Sequence, residues 1–239
     1  MGHHRVSTAR LITRHSILPL DARHPLTQRA LLDAQDMHRL VMSGFRGWVA
    51  DGQRDARAQM GVLSTWSVDL KTDTLLIVVQ SRITPNWTTI PKTALRAPVT
   101  TQAIDQRIHE GDTYTFRTVI CPTSTRRDAK TGQSTRKRLP HTQPERVRQW
   151  IGQRFQNPAE PAHTATGVHR IGAAADPAAL AVRILPPVVS DQHQGLKISR
   201  AEVCGTLTVT DPDAFLAALT QGLGRGRAYS CGLLLTRPG

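Results

Sequence analysis

Aromatic residues are scarce in this chain: four Phe, four Trp and two Tyr make up 4% of 239 residues. No segment that reads as a strand carries the closely spaced Phe and Tyr that stack unpaired bases, which argues against recognition by aromatic stacking. Cysteine is rarer still. Cys121, Cys204 and Cys231 are scattered, odd in number and each set in an apolar run, a pattern that suits reduced core thiols better than disulfides or zinc ligands. The ten histidines show no HExxH and no paired helical spacing, and there is no CxxC, so no metal is expected. His3 and His4 read as a loose terminal tail. No apolar stretch approaches the roughly 20 residues that span a bilayer, and the N-terminus lacks the apolar core and cleavage site of a secretory signal. A cytoplasmic protein without a membrane partner is expected.

Acidic residues are also in deficit, with 18 Asp and Glu against 31 Lys and Arg, for a formal net charge of +13. An excess of that size favours a polyanionic partner, nucleic acid first, through phosphate contacts and counterion release. A merely basic soluble protein, or one resting on an anionic membrane, carries the same excess, so its distribution matters. Six basic residues, Arg126, Arg127, Lys130, Arg136, Lys137 and Arg138, crowd thirteen positions around the single acid Asp128.

Apolar periodicity gives the order of elements. Residues 9–18 read as a strand closed by Pro19. From Thr27 as N-cap to about Val49, Ala30, Ala34, Met37, Val41, Phe45 and Trp48 recur at helical steps. Leu63–Leu70 and Thr74–Ser81 form a hairpin around Lys71-Thr72-Asp73. Residues 84–110, with Pro85, Pro91 and Pro98, look irregular and end in a linker. The second half is clearer. A strand at Asp112–Cys121 is followed by a helix opened by a Thr142/Glu145 capping box and stopped by Pro158. Strands at Leu180–Val189 and Leu196–Thr210 lead to a helix capped by Asp211, with Pro212 first and Phe215, Leu216 and Leu219 on its buried face. A last strand covers Gly232–Thr236. That order, β-α-β-β-α-β, predicts an α+β fold of two tandem ferredoxin-like domains, residues 1–105 and 110–239.

Two segments carry a family resemblance: Asp36-Met37-His38-Arg39, and the glycine-rich run Gly222-Leu223-Gly224-Arg225-Gly226-Arg227-Ala228 continuing to Gly232-Leu233-Leu234. Together they resemble the CasE family of CRISPR repeat endoribonucleases. The resemblance implies an enzyme that binds the repeat RNA hairpin and cuts at its 3′ base. It also implies products with a 2′,3′-cyclic phosphate and a 5′-hydroxyl, and continued binding within the Cascade complex beside other subunits. Attack by the RNA's own 2′-hydroxyl needs only proton transfer and stabilisation of a charged phosphorane, so neither a metal nor a small-molecule cofactor is required.

His38 is the expected catalytic residue, as general base or general acid, with His15 and His24 in reserve. The family commonly has a tyrosine three residues earlier, where this chain has Gln35; Gln35, Arg39 and Arg46 are candidates to hold a phosphate oxygen. Gly222, Gly224, Gly226 and Gly232 let backbone approach an RNA strand while Arg225 and Arg227 pair with it. The basic cluster from Arg126 to Arg138 is expected to grip the hairpin stem. Two other readings remain open: a non-catalytic RNA-hairpin-binding subunit, and a basic assembly protein in which His38 only packs.

Overall fold

The structure is a computed structural model, and it describes residues 8–49, 53, 55–127, 134–155, 170–192 and 195–239. The first sheet contains β1 (Thr8–Asp21), β2 (Leu63–Asp69), β3 (Thr74–Ser81) and β4 (Thr100–His109), in the order β2-β3-β1-β4. All neighbours are antiparallel. Its helical face carries α1 (Pro25–Leu32) and α2 (Ala34–Met42), whose Met37, Leu40 and Val41 pack on Leu18, Leu20, Leu75 and Ile77.

The second sheet repeats this plan. β5 (Thr113–Ile120), β9 (Ala181–Ser190), β10 (Leu196–Val209) and β11 (Leu234–Pro238) run β11-β5-β10-β9, with the two-residue β8 (Ala173–Ala174) also on β10. The helices are α4 (Pro144–Gly152) and α5 (Pro212–Gln221). Between β5 and α4 stands a separate hairpin, β6 (Thr123–Arg127) with β7 (Ser134–Pro140). The strand orders are those of the ferredoxin-like fold expected from the sequence. The cap of α5 is as read: Asp211 accepts from the backbone N–H of Asp213 and Ala214, both at 3.0 Å. Phe215 is fully buried, worth about 2–3 kcal/mol.

Three expectations need correction. The long first helix is two helices, because Asp33 is extended (φ −125°, ψ 124°) and starts α2 anew. Its beginning is capped by His24, ahead of Pro25, and Thr27 is buried inside. The expected linker before residue 110 is the strand β4, paired with β1 from Thr8↔His109 to Ile17↔Thr100. Its sequence hides it, since an exposed edge strand carries polar residues on nearly every position. Finally, α4 opens at Pro144 behind Gln143 with no side-chain cap, so the Thr142/Glu145 box does not form. Pro158 lies outside the described residues.

The two sheets are joined through shared packing. Ala9, Leu11 and Ile108, from one end of β1 and β4, belong to the core of the second sheet, together with Phe215 and Leu219 of α5. Gln80 of β3 donates to the Leu219 carbonyl at 2.8 Å, and Ser64 of β2 meets Ser230 at 2.9 Å between hydroxyls. The end of α5 and the loop between it and β11 are thereby held against the first sheet.

Candidate active site

α2 owes its position to Asp33. The carboxylate accepts from the backbone N–H of Gln35 at 2.7 Å and Asp36 at 3.3 Å, and it also accepts from the Ser190 hydroxyl at 2.9 Å and the Asp191 N–H at 3.0 Å. One side chain therefore starts the helix and ties it to the end of β9. One turn on, His38 is half buried, and its Nδ1 lies 3.0 Å from the carbonyl oxygen of Ala228 in the glycine-rich loop. A carbonyl only accepts, so Nδ1 carries the hydrogen and Nε2 keeps its lone pair. Burial pushes the imidazole's pKa below its ordinary 6.5; the Ala228 carbonyl opposes this, and the positive charges of Arg57 and Arg39 add to it. The ring is neutral near pH 7 and poised to take a proton.

The loop that supplies Ala228 is folded by glycine. Gly222, Gly224, Gly226 and Gly232 all have positive φ. At Gly232 (φ 90°) a side-chain carbon would sit 2.5 Å from the Leu223 carbonyl oxygen, which excludes any other residue. Its own N–H donates to Val119 at 2.6 Å, and its carbonyl accepts from Leu223 at 2.8 Å, so the loop is stitched to β5 and to itself. The chain then makes a short turn at Arg227–Tyr229, and the Tyr229 ring stands 6.4 Å from that of His38.

Arg227 is half buried, with Nε donating to the Gly224 carbonyl at 2.9 Å, and it separates two clefts. One, of about 240 Å³, is lined by Arg57, Arg82, Thr220, Gln221 and Arg227; the other, of about 120 Å³, by Arg154, Arg170, Gln221, Gly222, Gly224 and Arg227. Arg154 lies over the Trp150 ring at 3.3 Å, and burial pushes its pKa down to about 10. None of Arg57, Arg82, Arg154, Arg170 or Tyr229 was a candidate from the sequence. Arg57 sits in the four-residue α3 (Ala56–Gln59), in a stretch with no periodic signal; only the spatial return of the glycine loop brings these side chains together.

The other candidates fall as follows. Arg225 is exposed, its backbone bridging to Cys121. Arg39 pairs with Asp36 at 3.0 Å and bonds the Gln192 side chain, so its guanidinium is committed to the contact between α2 and the β9–β10 loop. Gln35 is half buried in the first turn of α2, and Arg46 is exposed beyond its end. The reserve histidines have structural partners: His15 Nε2 meets Gln80 Oε1 at 3.0 Å, and His24 Nδ1 accepts from the Leu26 N–H at 3.2 Å. In the basic cluster, Arg138 is exposed at the β7 end of the hairpin. Lys130 and the side chains of Arg126, Arg127, Arg136 and Lys137 lie outside the described residues. Among the described residues no three His, Cys, Asp or Glu side chains stand together as metal ligands would. Cys121 and Cys231 are buried free thiols, with burial pushing Cys231 up to about 12.

The sequence profile of a family described as CRISPR associated protein matches residues 15–238. The chain belongs to that CRISPR-associated family. No curated protein matches it. Solved structures share the fold. Thermus thermophilus Cse3, bound to an RNA representing a pre-cleavage complex, is 21% identical with a TM-score of 0.67, the match covering 95% of this chain and 100% of that one. A CRISPR endoribonuclease Cse3 bound to 19-nt RNA gives 21% and 0.67, over 95% and 98% of the two chains. Cas6e of Escherichia coli K-12 gives 18% and 0.64, over 95% and 99%. This CRISPR-associated chain thus has, along nearly its whole length, the two-sheet arrangement of Cse3 and Cas6e.

Proposed function

We propose that this protein is an endoribonuclease that cleaves CRISPR precursor RNA at the base of the repeat hairpin, without a metal, and keeps the mature guide RNA within Cascade. The observation that carries the reading is the His38 imidazole fixed by Ala228, with Nε2 unprotonated beside a basic loop. Nε2 takes the proton of the 2′-hydroxyl, O2′ attacks the adjacent phosphorus, and the bond from phosphorus to the 5′-oxygen breaks. The products are a 2′,3′-cyclic phosphate and a 5′-hydroxyl, the leaving oxygen receiving the proton that the imidazolium gives back or one from water. The glycine loop with Arg225 and Arg227 holds the strand, and the hairpin bearing Arg126, Arg127, Lys130, Arg136, Lys137 and Arg138 grips the stem. Cse3, a CRISPR endoribonuclease solved with RNA, supports the substrate class.

Two working domains that meet near residue 110, after β4 ends at His109, fit this role: the first carries the base and the second carries the loop that orients it. The protein would act in the cytoplasm, in keeping with the absence, among the described residues, of any helix long and apolar enough to cross a membrane. The test is cleavage of a cognate repeat hairpin with chelator present. Wild type should cut, and His38→Ala should lose about 100-fold or more in rate at unchanged affinity. Equal cutting by both would move the chemistry elsewhere. Binding without cutting by wild type would favour the second reading, a guide-RNA-binding subunit, to which Gln35 in place of the family's tyrosine gives weight.

A further inference from the structure

The larger of the two clefts has an electrostatic pattern that proton transfer at His38 does not explain. Arg57, Arg82 and Arg227 converge on it, and among the described residues none of the three forms an ion pair. By contrast Arg10, Arg23, Arg39, Arg96, Arg117 and Arg183 each pair with a carboxylate. Arg57 is half buried and anchored through Nη1 to the Val62 carbonyl at 2.5 Å; burial and then Arg227 lower its pKa, and Asp55 opposes them. Arg227 is anchored on Gly224. Arg82 runs across Gly61, where a side-chain carbon would lie 2.7 Å from its Cγ, so glycine at that position leaves the path to the cleft open. Like charges drawn together and partly desolvated, with Asp55 near Arg57 but no carboxylate paired to any of the three among the described residues, raise the energy of the free protein, and an anion entering between them lowers it.

The size and position of the cleft define the anion. A volume of about 240 Å³ takes a phosphate group with a few waters, and guanidinium forks match phosphate oxygens. Arg227, which lines the cleft, directly precedes Ala228, whose carbonyl oxygen lies 3.0 Å from His38 Nδ1, so the cleft opens close to the reacting imidazole. We propose that Arg57, Arg82 and Arg227 form a site for one phosphodiester of the substrate strand, neighbouring the phosphodiester that is cut. This rests on the RNA-cleaving role of His38, and it adds two residues that no motif contains.

The experiment uses full-length protein and repeat-hairpin RNAs made uncleavable by a 2′-deoxy group at the attacking nucleotide. Each phosphodiester around the cut is replaced singly by an uncharged methylphosphonate, and Kd is measured for wild type, Arg82→Gln and Arg57→Gln/Arg82→Gln. At one position next to the cut, neutralisation should weaken wild type by about tenfold and the double variant by less than about twofold, with Arg82→Gln between them. Equal losses in all three proteins at every position would overturn the proposal, as would coupling found only at the scissile phosphate. Arg82 is exposed, so its single variant keeps the test readable if the double variant folds poorly. Because Kd needs no turnover, coupling in a wild type that never cuts an all-ribose hairpin would leave this site standing and sink the catalytic reading; cutting without coupling would do the reverse.

Discussion

Replacing Asp33 with Ala should loosen the active site from one helical turn away. The carboxylate holds two backbone N–H groups at the start of α2 and two donors, Ser190 Oγ and the Asp191 N–H, from the other sheet. Losing an N-cap costs about 1 kcal/mol, and the two tertiary bonds add about another 1 kcal/mol once discounted for their partial exposure to solvent. A loss of about 2 kcal/mol in a protein of this size lowers the Tm by about 4–8 °C. Asn at the same position still caps and still accepts, so Asp33→Asn should keep most of this stability. Burial alone would push the Asp33 carboxyl up, but the bonds from Ser190, Gln35, Asp191 and Asp36 outweigh it and hold the pKa below the ordinary 3.8. Its contribution is therefore complete above the unfolded pKa and is lost as pH falls through the folded one, so wild type and Asp33→Ala should converge in strong acid. Thermal melts of the three proteins at pH 7 and in acid decide it. A Tm shift under about 2 °C, or an Asn variant as weak as Ala, would refute the double role of this carboxylate.

Three further outcomes follow from the site. The single-turnover cleavage rate should fall with pH along a limb whose midpoint lies below 6.5, because burial has lowered the pKa of His38 and the proposed base is active when unprotonated; a limb centred above 6.5 would contradict the neutral, buried base. Gly232→Ala should cost at least about 2 kcal/mol in a urea melt and abolish cutting, since both positive φ and the Leu223 carbonyl forbid a side chain there. Cys231, fully buried with a thiol pushed up to about 12, should resist iodoacetamide at pH 8 in the native protein and react only after denaturation, which mass spectrometry of the labelled peptides would show.

The parts of the fold that were legible in the sequence are those where burial imposes a period. α5 announces itself through Asp211, Pro212 and the buried Phe215 and Leu219, and β3 through its run of Leu75, Ile77 and Val79. β4 was invisible because its exposed edge leaves only Ala103, Ile104 and Ile108 as apolar signal, with no alternation of period two. The break between α1 and α2 was hidden because Ala30, Ala34, Met37 and Val41 keep a helical spacing across it, while the cause, Asp33 bonding to Ser190 and Asp191, is more than 150 residues distant in sequence. The candidate site divides the same way. His38 and the glycine loop lie in local motifs, whereas Arg57 and Arg82 acquire meaning only from a cleft they share with Arg227.

That division bears on how the chemistry is assembled. His38 stands on a helix of the first sheet's layer, but the carbonyl that selects its tautomer belongs to a loop leading into the last strand of the second sheet. An imidazole without that carbonyl would share its proton between the two nitrogens and spend part of its time with Nε2 protonated and unable to act as a base. The same loop brings Arg227, whose charge joins that of Arg57, so under the proposed mechanism one segment would set both the proton acceptor and the anion hold. Gln35 cannot exchange a proton near neutral pH, and the arrangement does not need it to: transition-state charge can be met by fixed guanidinium groups while a single histidine handles the proton. The economy has a structural condition. The two sheets must keep their relative position to within a hydrogen bond, and the contacts that enforce this include the Asp33 clamp on one side of α2, the paired Ser64 and Ser230 hydroxyls behind the loop, and the Gln80 bond to Leu219.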